Sequence, residues 1–321
     1  MARGLAVVLS GGGAKGAFQV GVLDELIARR GVPVDIFAGV STGAIQALAG
    51  AQDDIPGLLD AWLALRSNRD VYREKPLGIV GGLLGANSLY DPSPIRARIR
   101  AFADERKLRA TGKKLLLGVV SLTSGAFRSI DEATPGIADW VYASSAMPVV
   151  FPPLRTRAAD GREEQWVDGG VRDVTPLAAA LEWNPRAVVV VMASPIAPDA
   201  ARPRNYSNIV SIALRSVGIL QSEVVANDTS QAALINDLIA ARAAQARALI
   251  DAGVTGATAS AVLAPLDAKL AEYRFVPIRI IAPTREYSDT LEFDPTKIRA
   301  AIDGGRRAVA DNWTDLATFV R

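Results

Sequence analysis

The sequence predicts an α/β fold, with a mostly parallel central sheet and helices packed against it. Three observations carry this expectation. Short apolar runs alternate with stretches of helical periodicity along the whole chain. The first two apolar runs end in glycine-containing turns that lead directly into helix-like segments. A later run, AVVVVMA at 187–193, is apolar without alternation, as a strand covered on both faces must be.

Each element follows from local pattern. Residues 5–9 read as a buried parallel strand stopped by glycine. Residues 17–30 read as a helix with Val20, Leu23, Leu26 and Ile27 on one face and Gly31 as its stop. Residues 34–40 form a second buried strand, 43–51 a small-residue helix under the sheet, and 55–66 a helix that accepts Pro56 in its first turn. The stretch 76–90 (PLGIVGGLLGANSLY) is apolar but glycine-rich, and reads either as a cover or as a buried loop. A helix starts behind proline and serine within 91–105. Residues 115–121 and 126–130 are strands around the Ser124-Gly125 turn. Residues 138–148 form a helix ended by Pro148. A hairpin pairs 155–157 with 165–167 around Asp160-Gly161. Helices are expected at 208–220 and 223–251, the second with Leu234, Ile235, Leu238 and Ile239 as one buried stripe. A late strand at 275–282 rejoins the sheet, and 295–319 is a closing helix. The expectation is a single domain over 1–321, with a motif-bearing core at 5–195 and an extension at 196–321.

Composition narrows the chemistry. The 36 basic and 34 acidic residues give a net charge of +2, which points to no nucleic acid partner. No cysteine is present, which excludes disulfides, thiolate metal sites and cysteine nucleophiles. No histidine is present either. The usual general base, the usual metal ligand and any Ser-His-Asp triad are therefore excluded. Proton transfer must fall to carboxylates, Lys, Tyr or the backbone. The first apolar run breaks into glycines within five residues, as a strand and not a signal peptide does. No run reaches the ~18 residues of a membrane span. The expected location is cytoplasmic or peripheral to a membrane.

Two turns compete to explain the N-terminal third. Gly11-x-Gly13-x-x-Gly16 matches the dinucleotide fingerprint between a strand and a helix. With 27 glycines in the chain, three so spaced arise by chance with a probability on the order of 0.2, so the pattern alone is weak. The fingerprint also needs an acid at the end of the second strand, whereas Asp35 stands at its beginning. The strand's end carries Gly39-Val40-Ser41-Thr42-Gly43, a Gly-x-Ser-x-Gly turn between a buried strand and an apolar helix. That is the setting of a nucleophile elbow, in which small flanking residues let the serine stand out of a sharp turn. The bland alternative is an N-cap serine.

A serine nucleophile needs a base, and without histidine the base must be a carboxylate. Asp168, before Gly169-Gly170, follows a short strand and has neighbours that permit close approach; Asp173 is the nearby alternative. Acyl transfer creates an oxyanion that backbone N–H groups stabilise. Gly11, Gly12 and Gly13 can present such groups beside Ser41 if the first two strands are neighbours. Lys15 either adds positive charge there or is merely solvated.

These motifs, in this order, resemble the patatin-like phospholipase family: Gly11-Gly12-Gly13-Ala14-Lys15-Gly16, then Gly39 to Gly43, then Asp168-Gly169-Gly170. The segment YASSAMPVVFPP is similar as well. The resemblance covers 5 to about 195. It implies a three-layer α/β/α sandwich and hydrolysis of lipid acyl esters without a cofactor or metal. It also implies a Ser41–Asp168 dyad with Gly11, Gly12 and Gly13 as oxyanion hole, supported by Lys15, Gly16, Gly39, Gly43, Gly169 and Gly170. The implied substrates are phospholipids, lysophospholipids or other fatty-acyl esters, with peripheral membrane contact and an undetermined oligomeric state. On this reading 76–90 is either a cover that touches acyl chains or the membrane surface, or a buried loop packed on the core. A nucleotide-binding oxidoreductase and a non-catalytic lipid-binding protein are the rival classes.

Overall fold

The computed structural model describes residues 3–75, 87–196, 205 and 209–320. Its main sheet has eight strands. They are β1 (Arg3–Leu9), β2 (Ile36–Gly39), β5 (Lys114–Ser121), β6 (Phe127–Asp131), β7 (Leu154–Arg157), β8 (Glu163–Asp168), β9 (Pro185–Val191) and β10 (Ile278–Ile281). The order is β10-β9-β1-β2-β5-β8-β7, with β6 also paired to β5. The first five strands in that order run parallel, and the pairings of β5 with β6 and β8, and of β7 with β8, are antiparallel. A separate small ribbon pairs β3 (Arg73–Glu74) with β4 (Tyr90–Asp91). The predicted cover at 76–90 lies mostly outside the described residues, which resume at 87.

The unalternating strands have a direct explanation. Leu5, Val7 and Leu9 point into one apolar layer and Ala6 and Val8 into a second, so both pleat faces are buried. Helices α1 (Ala17–Leu23), α2 (Thr42–Ala51), α3 (Ile55–Leu63) and α10 (Pro295–Ala310) supply the first layer. Helix α7 (Leu177–Glu182) and Ala232 of α8 (Ile209–Asp251) supply the second. The result is an α/β/α sandwich, as expected. The remaining described helices are α4 (Ser93–Phe102), α5 (Glu105–Ala110), α6 (Ile137–Ser144), α9 (Gly256–Leu270) and α11 (Trp313–Val320).

Helices α1 and α10 meet backbone to backbone. A side chain at Gly21 would fall on the Ile302 carbonyl, and one at Gly305 on the Phe18 carbonyl. Beyond Leu23, α1 continues through a wider π-type stretch, Asp24–Arg29, and stops at Gly31, whose φ is +65°.

Several expectations change. The helix pair at 208–220 and 223–251 is one helix, α8, which turns back on α9. Its predicted stripe is not core: Leu234 is 57% and Leu238 40% exposed, and Ile235 and Ile239 are half-buried. Beside the apolar contact of Ala232, polar bonds fasten this part of α8. Asn236 Nδ2 donates to the Val276 carbonyl at 2.7 Å, and Asn236 Oδ1 accepts the Val276 N–H at 3.1 Å. Helix α6 ends at Ser144, four residues before Pro148, and the closing helix breaks into α10 and α11. The late strand does rejoin the sheet, parallel to β9. No helix among the described residues is long and apolar enough to cross a membrane.

Candidate active site

Parallel strands bring their C-terminal ends to one edge of the sheet, and the predicted motifs gather there. Strands β1 and β2 pair directly, with Leu9 opposite Gly39. The glycine turn after β1 and the serine turn after β2 are therefore neighbours. A side chain at Gly11 would come within 3.2 Å of Ser41 Cβ. Strand β8 reaches the same place across β5, where Gly39 pairs with Leu117 and Asp168 with Val119.

Ser41 has φ 58° and ψ −127°, a conformation that non-glycine residues rarely adopt and that costs about 1–3 kcal/mol. The flanking glycines make it possible. A side chain at Gly39 would strike the Gly43 carbonyl, and one at Gly43 would strike the Leu9 carbonyl. Gly16 is tight for a related reason: Thr42 and Gln46 of α2 occupy the space a side chain would need, and Gln46 Nε2 donates to the Gly16 carbonyl at 3.0 Å. At Gly169 a side chain would meet the Gly118 carbonyl of β5.

Asp168 is buried. Its Oδ1 accepts the Gly170 N–H at 2.8 Å, and the Ser41 side chain lies near enough to hold its carboxyl down. Burial pushes its carboxyl up to about 7, against the opposing pull of the Gly170 N–H and the Ser41 side chain. Asp173 is occupied elsewhere, accepting the Thr175 N–H at 3.0 Å. Of the two candidate acids, the structure brings Asp168 to the serine.

The glycine turn needs two refinements. The Gly11 N–H donates to the Val174 carbonyl at 2.9 Å, so it is already engaged. Among the described residues, the N–H groups of Gly12 and Gly13 have no hydrogen-bond partner, and neither has that of Thr42, the first residue of α2. Lys15 is largely buried and ion-paired. Its Nζ donates to Glu286 Oε1 at 2.9 Å and Ser194 Oγ at 3.3 Å, tying the turn to loops after β10 and β9. The Thr290 carbonyl accepts the Ala14 N–H at 2.8 Å from the same side. Gly13, at φ +58°, leaves no room for a side chain against Thr290.

Sequence reading missed the residues that hold the elbow from behind. Ser144 Oγ accepts the Ser41 N–H at 3.1 Å and donates to the Gly118 carbonyl at 2.7 Å. Ser145 Oγ lies 3.1 Å from the Ser41 carbonyl and 2.9 Å from that of Val141. Gln19 Nε2 bridges the carbonyls of Ser10 and Val191, each at 2.9 Å, across the ends of β1 and β9. The only sequence signal was the paired serine in YASSAMP.

Gly13, Ser41 and Thr42 open onto an apolar cavity of about 110 Å³. Ile45 and Leu48 of α2, Trp62 of α3, Ile99 of α4, Tyr142 of α6 and Phe293 are among its walls. A single water needs about 10–15 Å³ by such a measure, so the space suits a larger apolar group. The dinucleotide reading fails on position. Asp35 lies against Gly4, at the opposite edge of the sheet and about 20 Å of strand away from the glycine turn. Among the described residues, no cluster of three His, Cys, Asp or Glu side chains could hold a metal ion.

Fold and site define a class: an α/β/α sandwich with a serine at a strained strand-to-helix elbow and a buried carboxylate beside it. Residues 7–181 match the family model for patatin-like phospholipases. The match spans more than half of the chain, which belongs to that family. Members act on lipids, which supports lipid acyl hydrolysis in general. No curated protein sequence matches. The solved structure of VipD from Legionella pneumophila is similar at 17% identity, with a TM-score of 0.45, covering 97% of this chain and 66% of that one, just under two thirds of its length.

Proposed function

We propose that this chain hydrolyses fatty-acyl esters of phospholipids or lysophospholipids by double displacement, using Ser41 as nucleophile and Asp168 as general base. Asp168 takes the proton of Ser41 as Oγ bonds to the acyl carbon. The N–H groups of Gly12 and Gly13, without a hydrogen-bond partner among the described residues, stabilise the oxyanion. The departing alcohol recovers the proton from Asp168, leaving an acyl-enzyme. Water then attacks that ester, passing its proton through Asp168 back to Ser41, and the fatty acid leaves. The acyl chain occupies the apolar cavity, and the head group stays outside.

The observation that carries this reading is the buried Asp168, brought to the Ser41 end of the sheet by β5, with its carboxyl pushed up to about 7. An ordinary aspartate near 3.9 is a poor base, whereas one poised near 7 matches the task. A fluorophosphonate probe followed by mass-spectrometric mapping tests it. Ser41 is expected to take the label, and Ser41→Ala is expected to lose both labelling and hydrolysis of p-nitrophenyl acyl esters while keeping its thermal midpoint. Labelling at another residue, or full activity in the variant, overturns the assignment.

A further inference from the structure

Strands β2 and β8 are not neighbours, so Ser41 and Asp168 do not share a ladder. Strand β5 lies between them and pairs with Gly39 through Leu117 and with Asp168 through Val119. Gly118 sits between those two register points. A second link between the two residues runs outside the sheet, through three consecutive residues at the end of α6. Ser144 Oγ accepts the Ser41 N–H at 3.1 Å, Ser145 Oγ donates toward the Ser41 carbonyl at 3.1 Å, and the Ala146 carbonyl accepts the Asp168 N–H at 3.1 Å.

We infer that residues 144–146 form a jig that sets the alignment of Ser41 with Asp168, and that Ser144 is its principal positioning residue. This rests on the Ser–Asp reading above.

The proton pattern supports the assignment. The Gly118 carbonyl can only accept, so the Ser144 hydroxyl must spend its single proton there, at 2.7 Å. Its lone pairs are then left for the Ser41 N–H. Ser144 is fully buried, and no water replaces it without opening the site. Ser145 shares its proton between the Ser41 carbonyl and the carbonyl of Val141 one turn back, which fixes its rotamer. Ser41 needs such support. A residue at φ 58° stays there only where its surroundings over-determine it. Removing the acceptor on its N–H leaves a buried donor unpaired and lets the elbow relax toward ordinary backbone. Ser41 Oγ then moves relative to a carboxylate held independently by Ala146 and Gly170. A displacement of about 1 Å at a reacting centre is worth about 100-fold in rate.

The test compares wild type, Ser144→Ala, Ser144→Cys and Ser145→Ala, reading fluorophosphonate labelling rate, kcat and KM on a p-nitrophenyl acyl ester, and the pH midpoint of kcat. For Ser144→Ala, kcat and labelling fall about 30- to 100-fold with KM within twofold. The pH midpoint moves up, because the Ser41 contact that holds the Asp168 carboxyl down is loosened. Ser144→Cys, which keeps a weak acceptor and donor, recovers part of the loss, and Ser145→Ala loses less than Ser144→Ala. If wild-type Ser41 takes no label, the hydrolase reading itself fails. If wild type labels and Ser144→Ala labels at the same rate, or loses kcat with no change in pH midpoint and no recovery in Ser144→Cys, the jig fails while the dyad stands.

Discussion

Replacing Asp168 by asparagine separates what the site needs for stability from what it needs for reaction. The substitution preserves shape and an oxygen for the Gly170 N–H, but removes the titration. The Asp168 carboxyl is pushed up to about 7 by burial, against about 3.9 in the unfolded chain. Between those values the native state holds a proton that the unfolded chain has released, so stability falls as pH rises. The contribution is fully present below about 4 and is lost as pH climbs through about 7. From pH 5 to pH 8 the loss is about 3 kcal/mol, or about 4–5 °C in Tm for a chain of this size. Calorimetry of wild type and variant at pH 5, 6.5 and 8 isolates it, since every other titration cancels in the difference. Asp168→Asn is expected to gain on wild type by that margin as pH rises, while its hydrolysis falls to background throughout. Wild-type kcat/KM is expected to rise tenfold per pH unit up to a midpoint near 7. Parallel Tm curves for the two proteins, or an activity midpoint near 4, would refute the reasoning.

Two other perturbations probe separate parts of the site. Gly43→Ala drives a methyl group into the Leu9 carbonyl and is expected to destabilise the fold by about 3 kcal/mol, read as a lower urea midpoint. Ile45→Trp narrows the cavity just beyond Ser41 and is expected to shift ester preference toward short acyl chains at least tenfold, measured as kcat/KM for butyrate against decanoate esters; an unchanged chain-length profile removes the cavity from substrate binding.

What was legible in the sequence was whatever a local pattern encodes. β1, β2, β5 and β9 were readable because strands buried on both faces leave unbroken apolar runs, and the elbow because its glycines must sit at fixed offsets from Ser41. The α8 stripe misled because helical spacing of Leu234 and Leu238 shows that one face is apolar, not what covers it. The ion pair of Lys15 was not legible because its partner, Glu286, is 271 residues away. Ser144 left only the paired serine as a trace: its bonds go to the main chain of Ser41 and Gly118, and main-chain partners leave no mark in composition. Gly11 was counted as a free donor because no motif announces that the Val174 carbonyl lies against it.

The family match stops at residue 181, yet the glycine turn is cast against a wall built far downstream. Thr290 grips Ala14, Glu286 anchors Lys15, and Ile302 and Gly305 lie flush on the helix that follows. A truncated chain ending after β9 would retain every signature residue and lose that backstop. Anyone trimming or grafting this protein should treat 286–305 as inseparable from the turn it braces, although that stretch bears no recognisable motif.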